Sequence, residues 1–390
     1  MMMHILQLHS RYREPGGEDV VVEAERRLLE AGGHQVSQHV ECNPPGSRAA
    51  AGSLAASVWN AAAARRVRAA IEAHRPDVVH VHNTWYALSP SVLSAARGRG
   101  VPVVMTVHNY RLACANSLLL RDGKPCELCI DRSALSAVRH GCYRGSRPLS
   151  GIAAVNIAAH RMAGTWGRHV NKFLVLSEFA KTRMLRIGLP DAQITIGSNF
   201  VPDPGDRTLR PSRSSEVMFV GRISQEKGLQ VLLEAWRRRA PQGLRLVVAG
   251  DGPGRGALEA DAPSSVEFLG RVDSSEVSAR LKRARALVLP SIWYEGQPLV
   301  ALEGLAAGVP IVLSDIGGLP ELLGGNGAGW LTPPNDIDSL ASLLPMLDDD
   351  EAVDDRGARA RDRYRAAYTP VAALSRLEAA YEGVMARTAL

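Results

Sequence analysis

The sequence predicts an α/β protein of two Rossmann-like domains with parallel sheets. Three observations carry that expectation. Short apolar runs rich in Val, Ile and Leu alternate with stretches whose apolar residues recur at helical spacing. The runs are continuous, which marks strands buried on both faces, as in parallel sheets covered by helices. A stretch rich in Pro, Gly, Ser and Arg, residues 197–215, breaks the pattern near the middle and reads as a linker. A chain of 390 residues is long enough for two domains. With 46% hydrophobic and 22% charged residues it is neither disordered nor fibrous.

In chain order, strands are expected at 5–8, 36–40, 78–81, 103–107 and 173–176, then at 217–220, 246–249, 266–269, 286–289 and 311–313. Helical spacing is plain over 18–31, 228–238 and 298–307. The acidic run 347–355 precedes an Arg-rich segment, the charge order that a helix dipole favours. The segment 151–169 offers a helical apolar face of Ile152, Val155 and Ala159, read as core ahead of membrane contact. The boundaries expected are 1–200 for the first domain and 201–369 for the second. Residues 370–390 form a closing helix that could pack back on the first domain. In open α/β sheets, ligands bind at the carboxyl ends of strands, so two such domains would face a cleft.

The net charge is +6, but it is unevenly spread. Residues 1–200 hold 24 Lys and Arg against 14 Asp and Glu, while residues 201–390 hold 22 against 26. Between residues 132 and 186 there are ten basic residues and one acid, Glu178. Such a face suits an anionic partner or an anionic membrane surface, the alternative being a solvated basic face. No apolar run reaches the ~18 residues of a membrane span, and the start lacks a charged n-region with a long apolar core. A cytoplasmic protein is expected, with the basic half suited to peripheral contact at the inner face of the membrane. Aromatic residues are only 5%, so a nucleic-acid surface of basic clusters interleaved with aromatics is not expected.

Cys42 stands apart, whereas Cys114, Cys126, Cys129 and Cys142 fall within 29 residues. One CxxC with two outlying cysteines has the ligand count of a structural zinc site. Unligated thiols and redox use of Cys126 and Cys129 are the alternatives. The insertion of about 109–147 that carries them is longer than a strand-to-helix connection needs. It follows His108 directly, which points to a metal-stapled flap on the acceptor side.

Two strings carry the chemistry. In the first, an expected strand ends at Gly221, a loop bears Arg222 and Lys227, and Gly228 opens a helix. Two cations beside a helix N-terminus make a diphosphate site. In the second, a strand ends at Pro290, a loop bears Glu295, and Gly296, Gln297, Pro298, Leu299 and Val300 lead into a helix containing Glu303. Pro298 suits the first helical position, and the free amides there would face an anion. Carboxylates bind vicinal diols bidentately, which suits one of these two acids for sugar hydroxyls near the helix N-terminus and the other for a ribose. His80 and His82, one residue apart on a strand, point the same way. With no third ligand nearby in sequence they read as strand-end packing. Trp85 and Tyr86 suit either an acceptor border or the core.

Glu295 and Glu303, followed by Gly304-Leu-Ala-Ala-Gly308-Val-Pro310, resemble the donor-binding motif of glycosyltransferase family 4, retaining enzymes of the GT-B fold. The resemblance spans nearly the whole chain. It includes Gly16-Gly17-Glu18, His108-Asn109, Arg222 with Lys227, Gly250-Asp-Gly-Pro253 and Phe268-Leu-Gly-Arg271-Val272. It implies a nucleotide sugar as co-substrate, UDP-linked by prior. Arg222 and Lys227 would neutralise the leaving diphosphate, Glu295 would hold the donor sugar and Glu303 the ribose. Arg271 and Val272 would meet the base. Gly16, Gly17 and Gly250 would line the donor, and His108 would contact the donor sugar beside the reacting carbon. The acceptor implied is a glycan, a lipid-linked glycan or a natural product. Asp336-Ile-Asp338 matches a metal-binding string but sits where a helix cap belongs. With two cations at hand, no catalytic metal is required. A nucleotide-sugar epimerase of the same architecture and a non-catalytic polyanion binder are the competing readings.

Overall fold

The computed structural model describes residues 1–12, 16–43, 52, 56–325 and 327–388. The chain forms two α/β units. The first comprises 1–119, 126–198 and 373–390, and the second 120–125 and 199–372.

The first unit is built on the parallel strands β1 (His4–Arg11), β2 (Gln35–Cys42), β3 (Val78–Asn83) and β4 (Val103–Val107). Next in the chain comes a small antiparallel hairpin that belongs to the second unit, β5 (Leu120–Arg121) with β6 (Lys124–Pro125), and then β7 (Lys172–Val175) and β8 (Ile194–Ile196) of the first. The sheet order is β2-β1-β3-β4-β7-β8, with every pairing parallel. β3 and β4 are buried along their whole length, as their unbroken apolar runs predict. The helix Gly17–Ala31 turns Val21, Val22, Glu25 and Leu29 inward, a spacing of one helical face that includes a carboxylate. The C-terminal helix Pro370–Thr388 buries Leu377, Ala380, Tyr381 and Val384 against Met3, Ile5, Val78 and Val104.

The second unit holds β9 (Glu216–Val220), β10 (Arg245–Ala249), β11 (Val266–Gly270), β12 (Ala286–Leu289), β13 (Ile311–Ser314) and β14 (Gly329–Thr332). Their order is β11-β10-β9-β12-β13-β14, again all parallel. Two apolar clusters cover its two faces. One is built on Leu287, Leu302 and Leu305, the other on Phe219, Leu232 and Trp236.

Several sequence expectations need correction. β8 and β14 escaped notice because three or four residues at a sheet edge give too short a run. The helix Arg147–Met162 buries Ser150, Ala153, Ala154 and Ile157, whereas Val155 is 52% exposed. The apolar face expected around Val155 is therefore rotated by about one residue, because alanines and a serine make the packed stripe. Pro298 is the cap before the helix Leu299–Ala306 and not its first residue. The cap expected at Asp336 is present, its carboxylate accepting from the Ser339 N–H at 2.9 Å ahead of the helix Ile337–Leu343.

Candidate active site

In the second unit the strand order reverses between β9 and β12. Such a reversal opens a crevice beyond the strand carboxyl ends, where ligands of open α/β sheets bind. The loops leaving these two strands carry Arg222 with Lys227 and Ser291 with Glu295. Lys227 Nζ donates to Glu295 Oε1 at 2.7 Å, and Ser291 Oγ donates to the same oxygen at 2.8 Å. The Lys227 ammonium also lies 5.4 Å from the centre of the Trp293 ring. Glu295 is only 5% exposed, and Lys227 and Ser291 supply the partners that a buried carboxylate needs. Arg222 is exposed, and its guanidinium is held by Glu226 at 2.5 Å.

Two glycines let these loops close up. Gly228 has φ +71°, and a Cβ there would meet the Pro290 carbonyl oxygen at 1.9 Å. Gly250 has φ +149°, and its Cβ would meet the Gly221 carbonyl oxygen at 1.8 Å. Backbone packs on backbone at both places, which only glycine permits. Gly250 thus has a packing role in addition to the expected donor contact.

Gly296 and Pro298 lead into the helix Leu299–Ala306, whose first amides have no intrahelical partner. Gln297 is buried and anchors the loop within the unit. Its Oε1 accepts from the Asn199 N–H at 2.5 Å, and its carbonyl accepts from Asn199 Nδ2 at 3.1 Å. Glu303 lies on the second turn, half-buried, and burial pushes its carboxyl above the usual range. Arg271 follows β11 exposed, while Val272, Leu299 and Val300 lie against the apolar core.

In the first unit the order reverses between β1 and β3. Gly16 and Gly17 begin the helix after β1, with the Asp19 carboxylate accepting from the Gly16 N–H at 2.8 Å and bonded to His9 Nε2 at 2.9 Å. A Cβ on either glycine would meet nothing within 4 Å, so protein packing does not demand them. His108 follows β4 and lines a pocket with His82, Asn83, Thr84, Trp85, Asn109 and Arg111. Its Nε2 lies 3.1 Å from His82 Nδ1. Burial, aided by nearby His9, holds the His108 imidazole well below its usual range, so it is neutral at physiological pH.

Asn109 Nδ2 donates to Glu18 Oε2 at 3.3 Å, tying the His108 strand end to the Gly16-Gly17 loop. Burial pushes the Glu18 carboxyl up to about 8, with Asp19 adding to the effect. The Arg111 guanidinium stacks 4.7 Å from the Trp85 ring centre and 5.5 Å from that of Tyr143. Trp85 and Tyr86 are core residues in a cluster with Ala115, Cys129 and Ile157.

Sequence reasoning missed Arg111 and Glu25. Glu25 reaches both strand histidines from a different element, with Oε2 3.5 Å from His80 Nδ1 and 3.4 Å from His82 Nε2. The third polar group that local sequence lacked is therefore present. His80 already uses both ring nitrogens, on the Tyr381 hydroxyl and on Thr106 Oγ1, each at 2.8 Å. Inward periodicity of the helix Gly17–Ala31 was the signal that could have found Glu25.

Cys114 and Cys129 are buried and share a thiol hydrogen bond, which lowers Cys114 and raises Cys129. Cys126 and Cys142 are half-buried and near enough to Cys129 to raise it further. Cys129 belongs to the apolar cluster, with Cys142 packed against it, so this part of the insertion is packed into the first unit.

Arg222, Lys227 and Glu295 are thus brought together in the second unit, and His108 with the Gly16-Gly17 loop in the first. Residues 16–199 match the family described as "Glycosyl transferase 4-like domain", and residues 214–349 match "Glycosyl transferases group 1". The chain belongs to this glycosyltransferase family, of the GT-B type. A relative named as a colanic acid biosynthesis glycosyltransferase, WcaL of Escherichia coli, is 32% identical over 306 residues, 70% of this chain and 72% of that protein. A glycogen synthase of Mycobacterium tuberculosis is 31% identical over 297 residues, 73% of this chain but only 63% of that protein's length. The fold is that of HepE from Anabaena, solved with UDP and glucose. The TM-score is 0.69 at 17% identity, covering 98% of this chain and all of that one. No described helix is long and apolar enough to cross a membrane.

Proposed function

We propose that the protein transfers a sugar from a nucleoside-diphosphate sugar, UDP-linked in the first instance, to a hydroxyl of a glycan, lipid-linked or small-molecule acceptor with retention of configuration. The observation that carries this reading is the pair of cations, Arg222 and Lys227, beside the buried Glu295 at the β9/β12 reversal. In the reaction the bond from the anomeric carbon to the leaving phosphate oxygen breaks. The acceptor oxygen bonds that carbon on the same face, and its proton passes to the departing diphosphate. Arg222, Lys227 and the first amides of the helix Leu299–Ala306 stabilise the charge that develops on the leaving group. Glu295 and Glu303 accept from sugar and ribose hydroxyls, Arg271 and Val272 border the base, and His108 meets the donor sugar. On this reading the two side-chain cations meet the leaving group's charge without a catalytic metal. The relatives' names, a glycogen synthase and a colanic acid biosynthesis glycosyltransferase, support a glycan acceptor, and the basic first half supports peripheral contact of a cytoplasmic protein with anionic membrane.

The test is a thermal-shift panel with UDP-, GDP-, ADP- and dTDP-sugars on wild type and Arg222→Ala. A ligand at 100 times its dissociation constant adds ~2.7 kcal/mol of stability, a visible rise in Tm. One nucleotide series should stabilise wild type and lose most of that effect in the variant. Stabilisation by none of them would overturn the donor assignment.

A further inference from the structure

We propose that Glu25 is a positioning residue which, through His82, decides which nitrogen of His108 carries the proton. The proposal rests on the reading of His108 as a donor-sugar contact. It stands on a file of two buried groups, Glu25 and His82, that ends on the half-buried His108. Glu25 Oε2 lies 3.4 Å from His82 Nε2, and His82 Nδ1 lies 3.1 Å from His108 Nε2. The His82 and His108 rings stack, with centroids 5.4 Å apart and planes at 19°. Glu25 Oε2 and His82 Nε2 are both buried without a hydrogen-bond partner in this structure, and they face each other at 3.4 Å. His80 does not compete for the carboxyl, since Tyr381 and Thr106 occupy its two nitrogens.

Proton counting gives the consequence. A neutral imidazole has one N–H and one lone pair, and the bond made at one nitrogen fixes the role of the other. As a carboxylic acid, Glu25 donates to His82 Nε2. His82 then donates from Nδ1 to His108 Nε2, and His108 carries its proton on Nδ1, as a donor to a substrate oxygen. As a carboxylate, Glu25 accepts from His82 Nε2–H. His82 Nδ1 then accepts from His108 Nε2–H, and His108 Nδ1 becomes an acceptor. No net charge moves along the file; one proton on Glu25 inverts the polarity two rings away. Burial favours the acid form of Glu25 and the neutral form of all three imidazoles. The other groups facing the file are Tyr381 from the C-terminal helix and His9 from β1, the latter paired with Asp19 and near Arg11.

Long-range proton–nitrogen NMR on the full chain with ¹⁵N-histidine reads the tautomer directly, with His108→Ala to assign the signal. In wild type, His108 should pass from the Nδ1–H to the Nε2–H form as pH rises and Glu25 ionises. In Glu25→Gln, whose amide carries both a donor and an acceptor but does not titrate, the His108 tautomer should no longer change with pH. Glu25→Leu, checked for folding by its melting curve, should show a mixture. A pH switch that persists in Glu25→Gln, or a His108 tautomer independent of both pH and residue 25, would overturn the relay. So would a metal ion in the purified chain that Glu25→Gln releases. Sugar transfer serves as the second readout. A tautomer that follows Glu25 in a chain without transfer would sink the enzymatic reading and leave the relay. Transfer with a tautomer blind to Glu25 would do the reverse.

Discussion

Lys227 Nζ donates to Glu295 Oε1 at 2.7 Å, joining the loop after β9 to the loop after β12 where the second sheet reverses its strand order. Removing one partner leaves the other charge uncompensated. Breaking a fully buried pair costs ~3–5 kcal/mol. Lys227 keeps 24% of its side-chain surface in water, so we expect about 2 kcal/mol for Lys227→Ala after solvent screening. The Lys227→Ala/Glu295→Gln double variant should recover part of that loss. Chemical denaturation of the four proteins measures the coupling, and additive losses would show that the pair does not interact.

Arg222 separates stability from catalysis. It is 61% exposed and, among the described residues, its ion-pair partner is Glu226, so Arg222→Ala should cost at most ~1 kcal/mol of stability. Loss of a preorganised charge at the leaving group should lower transfer by ~10²-fold. The ratio of kcat/KM values, set beside unchanged melting, checks both. Unimpaired transfer in the variant would remove Arg222 from the diphosphate site.

Two glycines should behave oppositely. In Gly250→Ala the new methyl would meet the Gly221 carbonyl at 1.8 Å, so the loop must move and Tm should fall by many degrees. In Gly16→Ala the methyl meets nothing within 4 Å, so Tm should hold while donor binding weakens through crowding by the ligand. Equal melting of both variants would contradict the packing argument.

Glu18 sets a pH dependence. Its folded carboxyl is pushed up to about 8 from an ordinary 4.5. Below pH 4.5 both states keep the proton. Between 4.5 and 8 the unfolded chain ionises while the folded one does not, so stability falls as pH rises through that window. Glu18→Gln removes this loss, and its Tm advantage over wild type should grow from pH 5 to pH 8. Melting curves across that range check the sign.

The four thiols of the insertion remain a proposed structural zinc site. About one zinc per chain is expected in the purified protein, lost together with several degrees of Tm in Cys129→Ser. Metal-free, fully active wild type would end the proposal.

Periodicity and punctuation in the sequence determined the two α/β units and most of their strands, because burial on both sheet faces writes itself as unbroken apolar runs. They also determined the loop bearing Arg222 and Lys227 and the loop bearing Glu295, because strand ends and helix starts have local signals. Only the tertiary structure decided that Lys227 is spent on Glu295, since the strand order makes β9 and β12 neighbours although 65 residues separate the end of one from the start of the other. It also decided that Glu25, His82 and His108 form one file. These residues sit on a helix, on a strand and just past the end of another, elements that meet through packing, and contacts between elements distant in sequence leave no trace in the spacing of either.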